Sequence, residues 1–138
     1  MMHHAISYLA TGLVFLAIDS VWLGLMAGRF YRPRLGHLMA DQLNLPPAIL
    51  FYLLYVAGIV VFAVQPALAS GRWSTALTQG ALFGLIAYAC YDLTNQATLR
   101  DWPALVTVVD IMWGTVLTAG SATVGMLVTQ ALTARLPS

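Results

Sequence analysis

The sequence predicts an all-α integral membrane protein, a four-helix bundle with a longer basic loop between its first two helices. Three observations carry that prediction. The 138 residues are 60% hydrophobic and only 8% charged, with a mean hydropathy of +0.81, whereas soluble domains carry about 25% charged residues. Four apolar runs each reach about 20 residues, the length needed to cross about 30 Å of hydrocarbon as helices. All six arginines fall between or beyond those runs, and the chain has no lysine and no glutamate. One transmembrane domain over residues 1–138 is therefore expected, with the lipid bilayer as its first partner. The net charge of +1 excludes a nucleic-acid surface, which needs clustered basic side chains to displace counterions. Cys90 is the single cysteine, so neither an intrachain disulfide nor a cysteine-based zinc site can form.

The first run is expected to form a helix over about residues 5–28, closed by Gly28 and by the interfacial charge of Arg29. It lacks a basic leader and carries Asp19 before any small-residue cleavage pattern, so it reads as a retained helix and not a signal peptide. Residues 29–45 hold Arg29, Arg32, Arg34 and His37 against Asp41, with Leu35, Leu38, Met39 and Leu43 at helical spacing. That pattern fits either a short amphipathic helix in the headgroup region or a solvated loop. Pro46 and Pro47 suit the first turn of helix 2, which is expected over residues 47–65 and to be stopped by Pro66. Tyr52 and Tyr55 read as an interfacial aromatic belt. Ser74 is the expected N-cap of helix 3, residues 74–99, in which Gly80 and Gly84 form a GxxxG packing pair. Pro103 opens helix 4, residues 103–131, whose Thr107, Asp110, Gly114, Thr118, Ser121 and Gly125 make a small and polar stripe suited to burial.

The basic residues set an expected orientation. Arg29, Arg32, Arg34 and Arg100 lie on the side of the connections after helices 1 and 3, which the positive-inside rule makes cytoplasmic. Counted from that side, Asp19 lies about 15 Å deep, Asp92 about 12 Å and Asp110 about 10 Å. The three acids thus share a layer in one half of the membrane. A charged aspartate facing lipid costs at least about 2.5–3.5 kcal/mol, so all three are expected to face inward. Packed together they cannot all be ionised without a cation, a buried arginine or a water-filled cavity, and at least one is expected to hold a proton. Tyr88, Tyr91, Asn95 and Gln96 flank Asp92 with donors and acceptors, while Trp22 and Trp113, each three residues after an acid, offer indole donors or flat walls.

Two uses of this layer stand side by side. Its groups can bond only to one another and hold the helices in register, or they can form a ligand site made by Asp19, Trp22, Tyr88, Tyr91, Asp92, Asn95, Gln96, Asp110 and Trp113 and opening toward the basic loop. Three carboxylates with Asn95 would suit an oxygen-preferring ion such as Mg²⁺ or Ca²⁺, although no metal is assigned and no cofactor is identified. His3, His4 and His37 lie at a terminus or on a loop and make no zinc or haem site. No phosphate-binding loop, nucleophile elbow or H-E-x-x-H pattern occurs.

The segment Tyr91-Asp92-Leu93-Thr94-Asn95, together with Trp102-Pro103 and residues 109–115, resembles a family of small bacterial integral membrane proteins, domain of unknown function family 2177. Residues 19–24 and 51–58 are also similar to that family, so the resemblance spans nearly the whole chain. It implies a four-helix membrane protein in a bacterial inner membrane and brings no activity, substrate or cofactor. The leading expectation is a membrane-embedded binding or transport protein for a cation, a proton or a small polar ligand near the cytoplasmic side. Four helices are few for a transporter, so a homodimer is expected with it. The alternatives are a membrane enzyme acting on a lipid, with Arg29, Arg32 or Arg34 holding a phosphate headgroup, and a structural or assembly subunit.

Overall fold

Each apolar run folds as one long helix in the computed structural model, which describes residues 2–135. Helix α1 spans Met2–Leu35, α2 Leu45–Ser70, α3 Trp73–Thr98 and α4 Ala104–Thr133. No strand occurs among the described residues. Helices α1, α2 and α4 are long and apolar enough to cross a membrane. Helix α3 has 26 residues, a length of about 39 Å, and is made less apolar by Asp92, Thr94, Asn95 and Gln96 in its last two turns.

The side chains are distributed as a bilayer requires. Leu13 is 67% exposed, Val116 64% and Met112 63%, while Thr11, Asp92, Thr118 and Ser121 are fully buried. In water this arrangement would waste the hydrophobic effect; in lipid it leaves apolar surface on tails and polar groups among protein partners. Helix α4 is the spine. It packs along α3 and, on another face, along α1, burying Thr107, Gly114, Thr118, Ser121 and Gly125. Gly84 shows why the α3–α4 seam is so close: a methyl group there would meet the Gly114 carbonyl and come within 2.7 Å of the Thr118 side chain. Phe15, Ile59, Ala63, Val64, Leu117, Ala122 and Met126 fill the apolar centre below the acids.

Two helix ends differ from expectation for one shared reason. Helix α1 does not stop at Gly28 and α2 does not stop at Pro66. A proline inside a helix cannot donate to the carbonyl four residues back, and its ring presses on that carbonyl. Here each chain widens just before its proline. Ala27–Tyr31 and Val60–Val64 are π turns, in which the Arg32 N–H donates to the Ala27 carbonyl and the Gln65 N–H to the Val60 carbonyl. The extra residue relieves the clash, and helix resumes through Pro33 and Pro66. It also turns the following face by about 100°.

The remaining connections differ in detail. Helix stops at Leu35, and no regular helix forms over the later part of the basic segment expected to lie on the surface. Helix α3 starts at Trp73 with Arg72 as an extended N-cap and no side-chain cap; the Arg72 N–H donates instead to the Ser70 hydroxyl at 3.3 Å. Gly71, in the left-handed region at φ 73°, closes α2, and Pro103 is the N-cap of α4.

Overpacking of this kind costs about 1–3 kcal/mol, so Gly84→Ala is expected to lower stability by that amount in a detergent unfolding titration. Gly24→Ala is the control, because a methyl there meets nothing within 4 Å, and it should leave the midpoint unchanged or raise it.

Candidate functional site

Helix α1 buries Ser7, Thr11, Phe15 and Asp19 at intervals of four, a stripe that carries Asp19 onto the inner face. Helix α3 presents Tyr88 and Asp92 four residues apart, and α4 presents Asp110 and Trp113 three apart. These faces surround a cavity of about 440 Å³ lined by Asp19, Asp92 and Asp110 together with Trp22, Tyr31, Tyr52, Tyr88, Tyr91 and Trp113. Leu35 at the end of α1, Met39 and Leu43 of the first connection and Trp102 of the third also line it. Those apolar residues of the basic segment therefore serve as the mouth of a cavity.

The three acids are not equivalent. Asp19 is fully engaged: the Tyr52 hydroxyl donates to Oδ2 at 2.6 Å and the Trp113 indole N–H to Oδ1 at 3.2 Å. Asp110 is engaged on one oxygen, where the Tyr31 hydroxyl donates to Oδ1 at 2.7 Å and itself accepts from the Trp22 indole N–H at 3.1 Å. The two indoles tie these arms together, stacking with ring centroids 4.2 Å apart and planes 8° from parallel. Asp92 has no exposed surface, and neither of its carboxyl oxygens meets a donor. Asp110 lines the same cavity. Two carboxylates cannot donate to each other, so a proton, a cation or water has to serve Asp92 there.

Other buried polar atoms also lack partners, namely the hydroxyls of Ser7, Thr11 and Ser121 and the Gln65 amide nitrogen. They are neutral, and a helical hydroxyl can turn to the carbonyl four residues back, as Thr115, Thr123 and Thr129 do here. A carboxylate accepts only and has no such outlet. Below the cavity the Tyr55 hydroxyl meets Thr118 Oγ1 at 2.7 Å, and Tyr88 lies against Gly114, whose missing side chain makes room for the ring.

The model of a family described as "Predicted membrane protein (DUF2177)" matches residues 4–127. This chain belongs to the DUF2177 family. No curated protein and no solved structure matches it.

In this DUF2177 protein the cavity gathers Asp19, Trp22, Tyr88, Tyr91, Asp92, Asp110 and Trp113 from the residues singled out in the sequence. Asn95 and Gln96 fall outside it: Asn95 is half-buried and Gln96 exposed. Nor do the carboxyls form a metal cage with them. Among the described residues no three His, Cys, Asp or Glu side chains group to hold a metal ion, and Asp19 is committed to Tyr52 and Trp113. The arginines do not line the cavity either. Arg29 and Arg32 are exposed, while Arg34 lies over the Phe30 ring at 4.4 Å and donates to the Phe30 carbonyl at 3.2 Å.

Tyr31 and Tyr52 were not legible as site residues on the same footing. Tyr52 lies five residues after Pro47, about 8 Å into its helix, so depth counting extended from acids to phenols would have found it. Tyr31 gives no such signal, because the π turn that swings it inward breaks the helical period. Replacing Tyr52 by Phe leaves one oxygen of buried Asp19 without its donor. That variant is expected to lose about 1–3 kcal/mol of stability in the same unfolding titration, with a loss below about 0.5 kcal/mol counting against the bond.

Proposed function

We propose that this DUF2177 protein is a membrane-embedded binding or transport protein whose Asp92–Asp110 pair holds a proton and exchanges it for a cation, near the cytoplasmic side of a bacterial inner membrane. The observation that carries this reading is the state of Asp92, buried with both oxygens unmet and sharing a cavity lining with a second acid, Asp110. An acid kept only as packing glue would be expected to resemble Asp19, with each oxygen bonded. Buried charge without a partner is costly, and intramembrane ionisable groups of this kind mark ion and proton sites. The arginines Arg29, Arg32 and Arg34 in the last turns of α1 support the cytoplasmic placement of the mouth.

A lipid-modifying enzyme fits the geometry less well. It would need a cationic partner for a phosphate headgroup, and the cavity lining contains acids, phenols, indoles and apolar side chains but no arginine.

Infrared spectroscopy of the purified protein tests the proposal. In cation-poor buffer the wild type is expected to show the carbonyl stretch of a buried protonated carboxyl, absent from Asp92→Asn and from Asp110→Asn. Adding a bound cation should remove that band and release about one proton per chain, because one positive charge replaces another. A band missing from the wild type, or one that no cation alters, would rule the proposal out.

A further inference from the structure

We infer that the cation is an organic monocation, an ammonium group on an apolar or aromatic stem, and that it reaches the cavity sideways from the bilayer between α2 and α3. This rests on the proton–cation reading of Asp92 and Asp110 and names the ligand class for that site.

Size is the first reason. The cavity of about 440 Å³ adjoins a hollow of about 230 Å³ lined by Phe51, Ala87, Tyr88, Tyr91 and Asp110. Magnesium or calcium would need six or more oxygens at short range, whereas Asp19 is already engaged and no three-ligand group forms among the described residues. The walls are the second reason. Trp22, Tyr88, Tyr91, Trp102 and Trp113 line the cavity, and Phe51 lines both spaces. Aromatic faces attract a weakly hydrated cation and enclose its methyl or methylene groups, while a strongly hydrated metal ion gains little from them.

Charge narrows the class further. The lining offers acids and no basic side chain, so the phosphate of a zwitterionic lipid headgroup would be left unpaired beside carboxylates. A free monocation has no such conflict. The route follows from helix packing: α2 meets α3 through Val60–Val64, and the last aromatic contact toward the mouth is Tyr55 with Tyr88, ring centroids 6.0 Å apart. Beyond it Phe51 is 48% exposed and Tyr91 59%, flanking the hollow that leads to Asp110. An opening on the lipid-facing side of the bundle selects ligands that partition into the membrane.

The test uses the full-length protein in phospholipid-free detergent and follows both tryptophan fluorescence and the acid carbonyl band. The probe is benzyltrimethylammonium, compared with its neutral carbon isostere neopentylbenzene, with Na⁺, Mg²⁺ and Ca²⁺, and with short-chain phosphatidylcholine. Benzyltrimethylammonium is expected to change the fluorescence saturably and to remove the band, with neopentylbenzene at least about tenfold weaker, a difference of about 1.4 kcal/mol. Tyr91→Leu, at an exposed ring whose loss spares the core, should weaken its binding about three- to thirty-fold. If only the metal ions remove the band, the organic class is overturned and the proton–cation reading stands. If no cation removes it, both fail. Phosphatidylcholine competing as strongly as benzyltrimethylammonium would overturn the free monocation in favour of a lipid headgroup.

Discussion

Hydrocarbon offers no water to a polar group, so a side chain placed inside a bilayer has to find its partner within the protein. That constraint organises this molecule. Helix α4 supplies most of the answer, because its small residues let α1 and α3 approach closely enough for side chains to bond across the seams. Tyr55 finds Thr118, Tyr52 and Trp113 share Asp19, and Trp22 reaches Asp110 through Tyr31. Ser7, Thr11, Ser121 and Gln65 leave only neutral atoms unpaired, and among the described residues Asp92 stands out as a buried acid with neither oxygen bonded. The surrounding bonds hold the walls of its cavity in place.

The two π turns connect backbone chemistry to that arrangement. Each lies immediately ahead of a residue–proline pair, Arg32-Pro33 or Gln65-Pro66, and each lets helix continue where a regular turn would clash. The first has a direct consequence for the site. By rotating the last turns of α1 it sends Tyr31 into the bundle, where one hydroxyl links an indole to a carboxylate. The second keeps α2 against α3 through Val60–Val64, while Phe51, nearer the start of α2, stays 48% exposed beside the hollow it lines.

Much of this was legible in the sequence. Depth counting gathered Asp19, Asp92 and Asp110, because a regular rise converts residue number into position and a bilayer fixes the boundaries. The small and polar stripe of α4 announced a buried face, and the GxxxG pair of α3 lies in the closest seam. What stayed hidden depended on side-chain reach or on broken periodicity. Which acid is satisfied and which is not is decided by individual hydroxyls and indoles, since Tyr52 and Trp113 converge on one acid from two helices. Asn95 and Gln96 lie three and four residues from Asp92 and are expected to share its face, yet neither lines the cavity, Asn95 being half-buried and Gln96 exposed. Gly28 with Arg29, and Pro66, read as stop signals, gave two helix ends wrongly, since helix runs on through a π turn in each case.

The stability of Asp92→Asn against the wild type, read by unfolding in detergent, tests most directly whether Asp92 is held for a ligand or for the fold. Asparagine keeps the shape and brings an amide that can donate to Asp110. The account predicts a variant about as stable as the wild type, within about 1 kcal/mol, because the amide donates where the shared proton did, with its response to cations lost. A variant destabilised by more than that would show that Asp92 is a bonded structural partner, and would contradict the account.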